Sequence, residues 1–217
     1  MRALQKPINS RENFHVFLKV VPILFLAMIS LFLIDNWNVM AVSDNQTNSL
    51  IMKGLDLFNQ SSYAEAIKYY DRALAIDPNN TDALNDKALS LQNLGDYGDA
   101  LMYYDKALAI DPNYLDSINN KGIIYESLKN YSEALKYFDK ALSIEPNNFL
   151  PVYNKGNLYS DLKNYREALK FYDKALSIEP NNRYALYAKD AALNNLNNYS
   201  SNITKFSLIT ITITKKK

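Results

Sequence analysis

The stretch "YYDKALAIDPNY", residues 103–114, decides the fold, because the chain writes nearly the same words three more times. They read "YYDRALAIDPNN" from Tyr69, "YFDKALSIEPNN" from Tyr137 and "FYDKALSIEPNN" from Phe171. The prolines set the period: Pro78, Pro112, Pro146 and Pro180 stand 34 residues apart. A fixed period of this size marks a stacked array of small structural units.

Aligning the copies on these prolines reveals columns. One column is small: Gly54, Ala88, Gly122 and Gly156. Two are alanine: Ala66, Ala100, Ala134 and Ala168, then Ala73, Ala107, Ala141 and Ala175. Large residues lie between them, such as Leu57, Leu91, Tyr125 and Tyr159, and Tyr70, Tyr104, Phe138 and Tyr172. Ile118, Gly122 and Tyr125 fall at i, i+4 and i+7, and so do Ala134, Phe138 and Ala141. That spacing gives one apolar stripe per helix, so each copy is two helices of about 13 residues. The small column is expected to face the first alanine column across a close crossing, with the aromatic filling the space beside it.

The punctuation agrees with this reading. Ser62, Asp96, Asn130 and Asn164 stand where the second helix opens, each followed three residues later by an acid. Ser62 with Glu65 has the sequence of a capping box, and the others are variants of it. Each second helix should stop at "IDPN" or "IEPN", since proline has no N–H and disfavours helical backbone before it. The short connections make neighbouring helices antiparallel. A single pair cannot bury its own stripe, so the sequence repeats because the interface repeats.

These residues resemble the tetratricopeptide repeat family over residues 47–182. The family's small residue, alanine, aromatic, alanine and proline recur in all four copies. Its usual tryptophan is replaced by Leu50, Leu84, Ile118 and Val152, and its usual leucine by Lys53, Lys87, Lys121, Lys155 and Lys189. The lysine stems are expected to cover apolar surface with their amines in water, along a solvated helix edge. The resemblance implies an all-α, right-handed superhelical solenoid of antiparallel helix pairs, with repeats at 47–80, 81–114, 115–148 and 149–182. Residues 183–196 are expected to form a capping helix, which completes a solenoid domain at 44–199.

The resemblance further implies a concave groove lined by the first helix of each copy, where a protein or peptide partner lies. The residues expected there are Asn85, Asn119, Asn120, Tyr153, Asn154, Asn157 and Tyr187. Carboxamides both donate and accept, so a ladder of them suits the main chain of an extended peptide. Solvated polar residues in an asparagine-rich chain are the plainer alternative. Family members that clamp acidic C-termini use lysine and arginine in the groove. The matching columns here hold Ile51, Asn85, Asn119 and Tyr153, then Met52, Asp86, Asn120 and Asn154, with no base among them.

The two ends differ from the array. "VVPILFLAMISLFLI", residues 20–34, is uncharged and follows a basic segment. Residues 1–43 are expected to be either a transmembrane signal-anchor helix or a signal peptide cut near Ala41. Both readings place the repeats outside the cytoplasm, because positive charge stays inside. Residues 200–217 hold four lysines and no acid, and "ITITIT" alternates with strand period. With no strand to pair with, they are expected to be a disordered or loosely docked basic tail. Sequons at Asn45, Asn198 and Asn202 flank the body and are candidate glycosylation sites. A further sequon at Asn130 is expected to be occupied as a helix cap.

The remaining composition narrows the chemistry. There is no cysteine and one histidine, His15, so disulfides and thiolate sites are excluded. No glycine-rich phosphate loop or nucleophile elbow is present, and the carboxylates recur at repeat spacing. No cofactor, metal, catalytic residue or nucleic-acid face is expected. The reading is a non-catalytic protein-binding scaffold. Its rivals are a self-assembling repeat protein and a non-catalytic subunit of an envelope enzyme complex.

Overall fold

A computed structural model of the chain describes residues 44–214, with side chains over 44–198. The anchor or signal segment lies outside the described residues. Nine helices and no strand occur among the described residues. They are α1 (44–59), α2 (Tyr63–Ile76), α3 (Thr81–Asn93), α4 (Tyr97–Ile110), α5 (Leu115–Ser127), α6 (Tyr131–Ile144), α7 (Phe149–Asp161), α8 (Tyr165–Ile178) and α9 (Arg183–Thr214). Each copy contributes one odd-numbered and one even-numbered helix, as the periodicity predicts.

The curvature follows from which helices meet. Within a copy the two helices pack closely, and each even helix also touches the odd helix that follows. Successive odd helices touch one another (α3 with α5, α5 with α7, α7 with α9), whereas no two even helices do among the described residues. Helices that approach along one row and splay along the other bend the stack. The odd helices therefore line the inner face and the even helices form the outer one.

The close crossing is made differently from the sequence expectation. Gly54, Gly122 and Gly156 are buried, but their nearest neighbours across the pair are aromatic rings, not the alanines. A Cβ on Gly122 would lie 2.5 Å from the Phe138 ring. On Gly54 it would lie 2.4 Å from Tyr70, and on Gly156 2.6 Å from Tyr172. The glycine is a notch for the ring. Ala66, Ala134 and Ala168 are fully buried and let the same helices approach one turn earlier.

The connections also depart from expectation in detail. Asp96, Asn130 and Asn164 accept a hydrogen bond from the backbone N–H three residues on, as capping residues should. Ser62 makes no such bond, although its sequence fitted the capping box best. The acids do not reach back either: Glu65, Glu133 and Glu167 pair with Lys68, Lys136 and Lys170 instead. Asn80, Asn148 and Asn182 cap the odd helices, a signal the sequence reading passed over. The residue ending each pair's inner turn is left-handed: Ser61, Gly95, Lys129 and Lys163 have φ of 60°, 84°, 59° and 58°. Only one of the four is the glycine such a site prefers.

The last helix continues through Thr214, not to Leu196 as the periodicity suggested. The segment expected to be a disordered or loosely docked tail is thus helical as far as Thr214, with the backbone groups of "ITITIT" satisfied within the helix.

Candidate inner-face binding site

The lysine column is not a solvated edge. Lys87, Lys121 and Lys155 are buried, with side chains 11%, 4% and 10% exposed. Each ammonium reaches back sixteen residues to an aspartate of the preceding even helix: Lys87 to Asp71 and Lys155 to Asp139, both at 2.5 Å, and Lys121 to Asp105. Lys189 meets Asp173 at 2.7 Å in the same way. The first three also lie over a ring sixteen residues ahead, at 4.0 Å from Tyr103, 4.9 Å from Tyr137 and 4.6 Å from Phe171. Burial would lower the pKa of Lys121, but its bonds to Asp105 and Tyr137 outweigh it and hold the ammonium above the usual lysine range. The column ties each copy to the one before it, and its positive charge is turned away from the inner face.

The inner face is consequently left acidic. Asp82 and Asp86 stand on α3 and Asp116 on the adjacent α5, and the charges of Asp82 and Asp116 add to burial in raising the pKa of Asp86. Burial is the main cause for Asp86, partly offset by the Asn85 amide, and with Asp82 and Asp116 it pushes the carboxyl up to about 6. Burial, Asp82 and then Glu145 raise Asp116. Further along, burial and then Asp161 push Glu126 up to about 7. Of these acids the sequence reading placed only Asp86 in the groove columns; Asp82, Asp116 and Glu126 were missed. The signal was available as columns that change between copies: Asp82, Asp116, Leu150 and Tyr184 share one register position, whereas the Lys–Asp columns stay constant.

The predicted groove residues fall on this row in two groups. Asn85 and Asn119 are only 5% and 6% exposed, and they join successive odd helices. Ser117 Oγ donates to Asn85 Oδ1 at 3.1 Å, and Asn154 Nδ2 donates to Asn119 Oδ1 at 3.0 Å. Asn120, Tyr153, Asn154 and Asn157 are half-buried, and Tyr187 is exposed. Asn157 Oδ1 accepts from the Tyr172 hydroxyl at 3.0 Å, and Tyr153 stacks on Phe149 at 5.6 Å. Of the sequon residues, Asn45 and Asn198 are exposed on α1 and α9, Asn202 lies on α9, and Asn130 caps α6. Among the described residues no group of acids or histidines could hold a metal ion. No described helix is long and apolar enough to cross a membrane.

Two tetratricopeptide repeat family models match the chain, one over residues 51–114 and the other over 116–148 and 153–182. The chain belongs to the tetratricopeptide repeat family. Members generally bind protein partners and are generally non-catalytic. No curated protein is significantly similar to the chain. Among solved structures it resembles PilF of Pseudomonas aeruginosa, at 24% identity with a TM-score of 0.65, over 73% of this chain and 72% of that one. It also resembles MamA, at 19% identity and a TM-score of 0.57, over 76% of this chain and 90% of that one. A second MamA structure gives 21% and 0.55, over 66% and 84%. At these identities the likeness speaks for the helical-repeat fold.

Proposed function

We propose that this repeat scaffold grips an extended or helical segment of a partner protein on its inner face, and that it does so outside the cytoplasm. The observation that carries the first part is the division of labour between polar columns. Every described lysine from Lys87 onward in its column is committed to an aspartate of the stack. The inner row, by contrast, keeps Asn120, Tyr153, Asn154 and Asn157 partly exposed and Tyr187 fully so, above a floor of Asn85 and Asn119. The second part rests on the basic residues before the apolar run at 20–34, which favour the anchor or secreted arrangement.

Co-purification from native cells tests the groove. Changing Asn120, Asn154, Asn157 and Tyr187 together to Ala should release the partner, and an unchanged set of partners would defeat the assignment. Protease protection of the intact cell tests location, with the repeats expected to be cut from outside.

Self-association is a second reading with an observation of its own. Leu94, Leu128 and Leu162 stand at one position in three successive copies and are 53%, 51% and 43% exposed. A row of exposed leucines along one edge suits contact with a second copy. Sedimentation of the chain over a range of concentrations decides: a concentration-dependent oligomer favours this reading, and a monomer removes it.

A further inference from the structure

We propose that the partner segment is basic and extended: its lysine or arginine side chains meet Asp82, Asp86 and Asp116, and a large apolar side chain enters the pocket between α7 and α9. This rests on the groove reading above and adds the chemistry of the ligand.

The three carboxylates have no cation of their own. Asp82 accepts from the Tyr114 hydroxyl at 2.6 Å, and Asp86 from the Asn85 amide at 3.4 Å. No lysine or arginine meets any of the three among the described residues, because Lys87 and Lys121, on the same helices, point to Asp71 and Asp105. Holding like charges together in a partly desolvated place costs stability unless a counter-charge arrives.

A second observation comes from the ring that fills each notch. Tyr104 donates to Gln92 at 2.9 Å and Tyr172 to Asn157 at 3.0 Å. The third copy has Phe138, with no hydroxyl to satisfy. Tyr70 alone of these rings has a buried hydroxyl without a hydrogen-bond partner, and the ring itself is fully buried. Burial and then the Asp86 charge raise the pKa of this phenol, and the two helices that carry these groups, α2 and α3, pack against each other. An ammonium carries three donors and no acceptor. Set beside Asp86 it supplies the missing positive charge, and the phenol oxygen can accept one of its protons.

A third observation fixes what lies beyond. An open pocket of about 790 Å³ is lined by Phe149, Leu150, Tyr153, Ile178 and Tyr184, with Glu145 at its rim. Glu145 and Glu179 are themselves part of the pocket lining, so the acidic groups continue from Asp116 to the pocket. Asp116 lines a small cleft with Asn148 and Leu150, which also line the pocket, so one helix spacing at most, about 8–10 Å or roughly two to three extended residues, lies between them.

Selection of a random twelve-residue phage-displayed library on the full chain tests the proposal. Recovered peptides should carry lysine or arginine with an aromatic or leucine two or three positions away. Their affinity should fall at least tenfold when Asp82, Asp86 and Asp116 are all changed to Asn, with no loss of melting temperature. Basic peptides indifferent to that triple change would overturn the site. Neutral or acidic peptides that are lost on Asn154→Ala and Tyr187→Ala would overturn the basic class while leaving the groove in place. Recovery of no peptide at all would overturn both.

Discussion

The chain holds two sets of aspartates, and they live in opposite circumstances. Asp71, Asp105, Asp139 and Asp173 stand on the even helices, each facing a lysine of the next copy. They recur without exception. Asp82, Asp86 and Asp116 stand on the odd helices, face each other and meet no cation. They occur only in the second and third copies. Identical side chains are thus spent on cohesion in one row and left under electrostatic stress in the other. Regular columns hold the array together; irregular ones are where we propose that it meets a partner.

The largest expected effect tests the frame on which both rows hang. Gly122→Leu drives a side chain into the Phe138 ring and should cost about 1–3 kcal/mol in denaturant unfolding. An unchanged midpoint would mean that the notch is not closed. Next, Lys121→Ala removes a buried stem together with its charge and should cost about 2 kcal/mol, whereas Lys121→Met keeps the stem and should cost under about 1 kcal/mol. Equal losses would make the seam electrostatic alone.

The stressed row has its own pH signature. The Asp86 carboxyl is raised to about 6 and Glu126 to about 7, so both are easier to protonate folded than unfolded. The stability they contribute is complete below about pH 4 and is lost as pH rises through 6 to 7. Scaled down for partial exposure, the doubly changed Asp86→Asn, Glu126→Gln chain should lack about 1–2 kcal/mol of that decline. Parallel pH profiles for the two chains would contradict the burial of these charges. The smallest effect concerns a place where both rows are indifferent. Lys129 is left-handed with φ 59°, and Lys129→Gly should stabilise by up to about 1 kcal/mol.

Most of the helix pattern was legible because apolar spacing and proline placement are local signals. The ring-in-notch contact was not, because column alignment says which positions are small but not which neighbour fills them. Lys121 read as solvated for a related reason: a lysine stem suits a surface, and its partner Asp105 lies in a different copy, where only the stack brings them together. Ser62 shows the limit from the other side, with the favoured capping sequence and no cap formed. Asp82 and Asp116 escaped notice because they do not recur in every copy, which is also what distinguishes them.

One pair of thermal melts at pH 7.5 tests the contrast most directly, using the same chemical change in each row. Asp105→Asn strips a buried ammonium of its counter-charge and should lower the melting temperature, while Asp86→Asn relieves unmatched charge and should raise it by about 2–4 °C. Shifts of the same sign would contradict the account.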